Sequence, residues 1–291
     1  MTTIITALLF ASLVVLVSTA AVGLGAMLLG TVHAPSAALS GGGAADSPEL
    51  GLRLRPPLVA GVALAFALLA LSVVARTVVV GHAPWSNLHE FSVAFAAAVL
   101  GTYLVLARAH PIAGLAPLVA LLSAGLVAFA VSLDDRVDPL VPALQQPLLL
   151  TIHVGSAALA YAVAGVAFIA AAAEIGQRSA RDRIGFLPSA ATARTVGHRA
   201  VLIAFPILTI AIALGSVWAN LAWRSYWSND PKELAAAATW LVFGAYLHVA
   251  GRRDRWERLA PWLIVLGFAG VLFTYIGAGL FFIGEHSYAA P

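Results

Sequence analysis

Long apolar segments are the feature that most constrains how this chain can fold. A transmembrane helix needs about 20 mostly apolar residues. Eight segments are long enough, and they lie at 4–30, 58–80, 90–107, 112–132, 148–174, 199–219, 233–250 and 261–283. Only 10% of the residues are charged, against about 25% in a typical soluble domain. We therefore predict an all-α, polytopic membrane helix bundle of about eight transmembrane helices that forms a single domain over residues 1–291.

The basic residues are divided unevenly between the loops on the two sides of these segments. Twelve of the sixteen Lys and Arg residues fall in one set of loops, and the other set holds Arg76, Arg136, Arg224 and Lys232. Because cytoplasmic loops carry an excess of Lys and Arg, the first set is predicted to face the cytoplasm. Both termini and residues 215–248 are then extracytoplasmic. Residues 31–57, rich in Gly, Ala, Ser and Pro, are predicted to form a flexible cytoplasmic loop.

Charge and cysteine content exclude several classes of function. The sequence pI is about 9.6, but the net charge is only +3 and the arginines follow the loop pattern, so no nucleic-acid partner is predicted. The chain has no cysteine. This excludes disulfides, thiolate metal sites and a cysteine nucleophile within the chain.

Residues 215–248 combine aromatic and charged side chains within this apolar sequence. The aromatic residues are Trp218, Trp223, Tyr226 and Trp227, and the charged ones are Arg224, Asp230, Lys232 and Glu233. Exposed indoles form an apolar surface of the kind that marks a binding site. A flat apolar ligand with acidic groups, such as haem, would suit this surface, and so would the surface of a lipid bilayer.

Three histidines are candidate ligands of haem iron. His153 and His286 are both predicted on the outer face, where two neutral imidazoles from separate elements can take the two axial positions. The alternative is that they are ordinary interfacial histidines at helix ends. His248 follows Glu233 by fifteen residues, which places it about 22 Å deeper along a helix. An ionisable residue at that depth is a functional candidate, and a backbone-bonded histidine at a helix end is the alternative.

The string WANLAWRSYWSNDPKE, followed by TWLVFGAYLH, resembles the tryptophan-rich WWD signature of haem-handling proteins. The CcsA/ResC subfamily of the system II cytochrome c synthase is most similar. Around His153, LQQPLLLTIHVGSAALAY also resembles this family, as do GEHSYA with His286 and SNLHEF with His89, so the resemblance covers residues 80–290. Two departures are Asn229, where the family usually has tryptophan, and Arg224, where it usually has glycine.

The resemblance implies a cytochrome c synthase subunit in the bacterial plasma membrane. Haem b would enter near His248, with its other axial ligand supplied by a CcsB/ResB-type membrane protein. It would then reach an external site held by His153 and His286 against the tryptophan-rich segment. There its vinyl groups would meet the Cys-x-x-Cys-His thiols of apocytochrome c. A haem transporter or chaperone without ligation activity is the alternative, and a cytochrome b or a haem-free channel is less favoured.

Charged residues near the tryptophans have several possible roles. Lys232 is a candidate partner for a haem propionate or a lipid headgroup. Arg224 could pair with a propionate, stack on Trp223 or crowd the haem face. Asp230, which precedes Pro231, is predicted chiefly to cap the seventh helix and secondarily to organise the haem pocket.

Overall fold

The structure is a computed structural model that describes residues 2–32, 46–136, 147–252, 255–282 and 284–286. Within these ranges every regular element is helical, which confirms the predicted all-α class. The helices are α1 (Thr2–Val32), α2 (Asp46–Val80), α3 (Leu88–Ala109), α4 (Ala116–Val131), α5 (Pro147–Ser179), α6 (Ala190–Trp223), α7 (Pro231–Val249), α8 (Arg255–Leu272) and α9 (Ala278–Phe281). A 3₁₀ turn, Ala113–Leu115, leads into α4, and a π-helical turn, Phe273–Gly277, joins α8 to α9.

Within the described part of the chain, seven helical segments are long and apolar enough to cross a membrane. They are Thr3–Leu29, Arg53–Val80, Leu88–Ala109, Ala113–Val131, Leu148–Ser179, Ala190–Trp223 and Trp256–Phe281. These segments confirm seven of the eight predicted spans. The eighth, predicted at 233–250, forms α7, a 19-residue helix that begins with Lys232 and Glu233 in its first turn and is not among the seven.

Two boundaries differ from the prediction. The predicted loop 31–57 is shorter at both ends, because α1 continues to Val32 and α2 already begins at Asp46; residues 33–45 lie outside the described ranges. Pro56 and Pro57 lie inside α2, as membrane helices tolerate proline where neighbours satisfy the freed backbone groups.

Helix α6 begins at Ala190 because the Ser189 side chain accepts a hydrogen bond from the Thr192 amide at 3.2 Å and caps its first turn.

The helices pack through small and aliphatic side chains. Helix α5 lies along α6, α1 along α2, α3 against α4, and α7 along α8. Buried alanines and valines dominate the core, and the rings of Phe168 and Phe268 stack between α5 and α8 with centroids 4.9 Å apart. Close van der Waals packing of this kind holds helices together in lipid, where no hydrophobic gain is available.

A buried ion pair fixes one end of the bundle. Arg76 Nε on α2 donates to Glu90 Oε1 on α3 at 2.9 Å, and Arg76 Nη2 donates to the Asp135 carbonyl at 2.8 Å. The other carboxylate oxygen of Glu90 accepts from the Ser86 amide and hydroxyl at 3.0 and 2.6 Å. This network therefore ties α2, α3 and the chain after α4 together, and it fixes the loop before α3.

A second charge network lies at the opposite end. Arg194 Nη1 on α6 donates to Glu257 Oε1 on α8 at 2.6 Å, and Arg178 Nη2 on α5 lies 2.7 Å from Glu174 Oε1 and 3.4 Å from the same Glu257 oxygen. Arg76, predicted for one membrane face, and Arg178 and Arg194, predicted for the other, thus lie at opposite ends of the bundle. The orientation of these two ends in the membrane stays a prediction, which rests on the distribution of basic residues between the loops.

Candidate functional site

A cavity opens at the end of the bundle that carries the tryptophan-rich segment. Its empty space is about 1210 Å³, part of it open to solvent. Helices α3, α5 and α6, the start of α7 and the π-helical turn contribute its mainly apolar wall. Of the residues predicted from the sequence, those that line it are His153, Trp218, Tyr226, Trp227, Lys232 and His286.

His153 on α5 is held by α6. Its Nδ1 lies 2.9 Å from the Ala211 carbonyl oxygen. Because a carbonyl can only accept, Nδ1 carries the hydrogen, and the lone pair of the neutral ring is on Nε2. The imidazole also stacks on Trp218, with centroids 6.0 Å apart and planes inclined by 15°. These contacts fix both the tautomer and the plane of the ring.

His286 is held in the same tautomer by Asp230. Its Nδ1 lies 2.8 Å from Asp230 Oδ1, and its backbone amide lies 3.4 Å from Oδ2. The imidazole lies 5.8 Å from the ring of Trp218 and 5.1 Å from that of Trp223, between centroids. The indole of Trp218, only 2% exposed, is therefore the common neighbour of both histidines.

Asp230 is the N-cap of α7, as predicted. Its Oδ1 accepts from the Lys232 amide at 2.8 Å, and Glu233 Oε2 accepts from the Asp230 amide at 3.2 Å, which completes a capping box. Burial opposes ionisation of this carboxyl, but the hydrogen bonds from His286, and the charge of that imidazole when it is protonated, favour it, and the net effect lowers the Asp230 pKa to about 2. Its carboxylate does not line the cavity. It contacts the Nδ1 side of the His286 ring.

The other aromatic residues of the segment take different positions. Trp223 packs edge-on against Trp218, with centroids 4.9 Å apart, and is not among the cavity-lining residues. Tyr226 and Trp227 lie at the rim, where their side chains are exposed. The Trp227 indole donates through Nε1 to Asn229 Oδ1 at 2.9 Å. The tryptophan-rich segment thus supplies one buried platform, one supporting ring and two rim residues.

Arg224 and Asn229 both have left-handed backbone conformations, with φ of 63° and 60°. Arg224 ends α6, and its amide donates to the Asn220 carbonyl at 3.1 Å. Glycine adopts this conformation without a steric penalty, and asparagine tolerates it. The left-handed backbone at position 224 therefore explains why similar proteins usually have glycine there. The Arg224 side chain is exposed and is not among the groups lining the cavity.

Lys232 is the one lysine of the chain, and it lines the cavity. Burial lowers the pKa of its ammonium, and the nearby charge of Asp230 opposes that shift. A buried cation is costly unless an anion approaches it. This residue therefore suits a ligand that brings acidic groups into the cavity.

His248 is not part of this cavity. Its side chain is exposed on the outer surface of α7, and Arg252 Nη2 donates to its Nε2 at 3.2 Å. The structure thus brings His153 and His286 together but leaves His248 apart from them. Its assignment as an inner haem ligand stays a prediction.

Other residues also line the cavity. Trp85 and Asn87 precede α3 and form one wall; for Trp85 the sequence favoured interfacial anchoring, with the external pocket as the alternative, and Asn87 was not predicted. Tyr161, Thr274 and Tyr275 also line the cavity, and the Tyr275 hydroxyl contacts Ser92 Oγ. The family resemblance of SNLHEF, which contains Asn87, could have indicated the wall that precedes α3. No periodicity in the sequence marks the π-helical turn that carries Thr274 and Tyr275, although such turns are frequent at functional sites.

Comparison with known proteins places the chain in a family. The family model described as "Cytochrome C assembly protein" matches residues 85–286, which is more than half of the chain. This protein belongs to the cytochrome c assembly family. The match begins at Trp85 and ends at His286, so it contains every residue that lines the cavity.

Curated relatives of this cytochrome c assembly protein carry the name "Cytochrome c biogenesis protein CcsA". The protein of Parasynechococcus marenigrum (strain WH8102) is 35% identical over 259 residues, which cover 78% of this chain and 84% of the relative. That of Crocosphaera subtropica (strain ATCC 51142 / BH68) is 32% identical over 289 residues, covering 78% and 86%. The chain is therefore a CcsA-type membrane protein of cytochrome c biogenesis.

A solved structure of "Cytochrome c Heme Lyase CcmF" shares the fold. It superposes with a TM-score of 0.62 at 22% sequence identity, covering 93% of this cytochrome c assembly protein and 46% of the CcmF chain. The chain thus spans less than half the length of that structure. At this identity the similarity concerns the fold alone.

Proposed function

We propose that this protein holds haem in the outer cavity through His153 and His286 and presents it for attachment to apocytochrome c. One observation carries this proposal. Two histidines from separate elements line a single cavity, and each is held through Nδ1 so that its neutral ring has the lone pair on Nε2. Histidines that ligate metals are commonly oriented in this way, by donating the other ring N–H to a carbonyl or carboxylate.

The donor set suits haem better than a bare metal ion. Within the described ranges no group of three or more His, Cys, Asp or Glu side chains could hold a metal ion. Two histidines are sufficient for an iron that brings four porphyrin nitrogens with it. The apolar wall and Trp218 would pack on the macrocycle, and Lys232 would pair with a propionate.

The attachment reaction needs little chemistry from the protein. Each acceptor thiol would add across one vinyl group of the haem substrate: a carbon–sulfur bond forms, and the thiol hydrogen ends on the other vinyl carbon. No group leaves, and there is no net oxidation or reduction. Because the chain has no cysteine, both thiols belong to the Cys-x-x-Cys-His acceptor. The role left to this protein is to orient haem and acceptor, which can contribute roughly 7–11 kcal/mol to a bimolecular step.

The proposal includes membrane orientation and a partner. The cavity would face outward from the plasma membrane, since the opposite end carries most of the basic residues. A CcsB/ResB-type membrane protein would contact the inner part of α7 and complete an entry site for haem b at His248. The exposed position of that imidazole on the bundle surface is compatible with a ligand supplied by another chain.

Attachment to a synthetic acceptor separates a synthase from a haem carrier. The chain is co-purified with its CcsB/ResB-type partner and haem, then incubated under reducing conditions with a Cys-x-x-Cys-His peptide. We expect a covalent haem–peptide adduct by mass spectrometry, and none with a matched Ala-x-x-Ala-His peptide. Haem bound to the complex without any adduct would support the carrier instead. A complex that binds no haem would contradict both functions.

A further inference from the structure

Gly215 lies where α6 meets the imidazole of His153. A Cβ built at this position would lie 2.7 Å from His153 Cε1 and 3.2 Å from Nδ1, much closer than the 3.5–4.0 Å of ordinary carbon contacts. A helical side chain covers the turn that precedes it, and here that turn carries the Ala211 carbonyl to which Nδ1 donates. Any side chain at 215 would therefore compete with the imidazole for the same space.

Gly284 lies against the carboxylate that accepts from the second histidine, rather than against the imidazole itself. A Cβ there would overlap Asp230 Oδ2 and lie 2.9 Å from Pro231 Cδ. Neither group can easily withdraw, because the carboxylate caps α7 through the Lys232 amide and proline has a rigid ring. The strain would fall on the chain around residue 284, two residues before His286.

We propose that Gly215 and Gly284 are positioning residues for the two haem ligands. Each leaves the space in which one imidazole reaches the acceptor of its Nδ1 hydrogen. At Gly215 this role comes from the missing side chain, since its backbone is not in the left-handed region. This inference rests on the proposed function for its consequence in haem binding, but the orientation of the two rings can be measured without haem.

Other glycines of the chain provide matched controls. Gly125 on α4 and Gly176 on α5 have no atoms within 4 Å of a built Cβ, so alanine should be accommodated there. Gly267 on α8 would meet the ring of Phe243 at 2.6 Å, away from the cavity. Alanine at 267 therefore reproduces a buried clash without touching either histidine, which separates general destabilisation from ligand positioning.

The direct test is ¹⁵N NMR of histidine rings in the full chain, purified in detergent without haem. Signals of His153 and His286 are assigned from their loss in H153Q and H286Q. We expect wild type to show both rings as Nδ1–H tautomers, G215A to alter the His153 signals, and G284A those of His286. G125A, G176A and G267A should leave both unchanged. Wild-type ring signals in G215A and G284A would overturn the inference.

A second measurement remains informative if a variant gives poor spectra. Thermal unfolding should show that G215A lowers the melting temperature in wild type but has a much smaller effect in the H153A background, where the clash is removed. An equal effect in both backgrounds would contradict the inference.

Haem titration then gives the consequence for binding. The affinity should fall about 10-fold or more in G215A and G284A, as when outer contacts of a metal ligand are lost, and unchanged affinity would contradict the positioning role. If wild type binds no haem, the proposed function fails, and the NMR comparison alone decides whether the glycines position the rings.

Discussion

His286 Nδ1 lies 2.8 Å from Asp230 Oδ1, and the same oxygen accepts a hydrogen bond from the Lys232 amide in the first turn of α7. A single carboxylate therefore caps a helix and orients a candidate iron ligand. Because Asp230 and His286 are 56 residues apart, the cap also fixes the C-terminal segment against the tryptophan-rich segment. The carboxylate should hold the imidazole in one orientation and strengthen its bond to iron.

Asp230→Asn separates these two roles. Asparagine is also a good N-cap, so α7 should remain capped while the charge beside His286 is lost. We expect haem affinity to fall about 10- to 100-fold, measured by titration of the Soret band. Asp134→Asn is the control, since Asp134 is exposed and bonds only to Arg136 among the contacts described. Wild-type affinity in Asp230→Asn would show that the carboxylate has no effect on the ligand.

The same carboxylate predicts a dependence of stability on acid. The Asp230 pKa falls from its usual 3.8 to about 2 in the folded protein, so folding favours the ionised form. Its stabilising contribution is complete above about pH 4 and is lost as pH falls towards 2. The difference in melting temperature between wild type and Asp230→Asn should therefore shrink as pH falls from about 4 towards 2. A difference that grows below pH 4 would contradict the sign of this shift.

The buried pair of Arg76 and Glu90 should matter more for stability than any surface pair. Glu90→Ala leaves a buried guanidinium without its carboxylate, which typically costs about 3–5 kcal/mol. Asp134→Ala, which breaks an exposed contact with Arg136, should cost less than about 1 kcal/mol. Denaturant unfolding in detergent measures both. Equal costs would mean that the Arg76–Glu90 pair contributes no more than a solvated one.

Arg224→Gly should stabilise the protein. The left-handed conformation at residue 224 costs a non-glycine residue about 1 kcal/mol, and glycine relieves it. Arg108→Gly is the opposite control, because Arg108 lies in the last helical turn of α3, where glycine should cost up to about 1 kcal/mol. Both are measured by unfolding. Reduced haem affinity in Arg224→Gly would instead indicate that the side chain contacts the ligand.

Much of the fold could be predicted because lipid imposes a simple requirement on the sequence. Each span must be apolar along its length and hydrogen-bonded within itself, so hydropathy predicted seven of the spans. Helix α7 begins in a charged capping box, which explains why its apolar character is weaker. The early start of α2 was not predicted, since Pro56 and Pro57 suggested a loop.

The site was predictable only in part. His153, His286 and Trp218 were identified from their residue types and their common membrane face. The contacts of Nδ1 with Ala211 and Asp230 depend on how separate helices approach one another, and no local pattern encodes that distance. For Trp85 the sequence favoured an interfacial role over the external pocket, because its position alone fits both a membrane interface and a cavity wall.

Spectroscopy of the haem-loaded complex tests the two ligands most directly. Ferric wild type, co-purified with the proposed CcsB/ResB-type protein, should give the low-spin electron paramagnetic resonance and absorption spectra of iron with two imidazoles. His153→Ala and His286→Ala should each lose haem or lose this low-spin signal, and added imidazole should restore it. His82→Ala, at the same end of the bundle but not among the cavity-lining residues, should match wild type. Unchanged spectra and haem content in both ligand variants would contradict the assignment of His153 and His286.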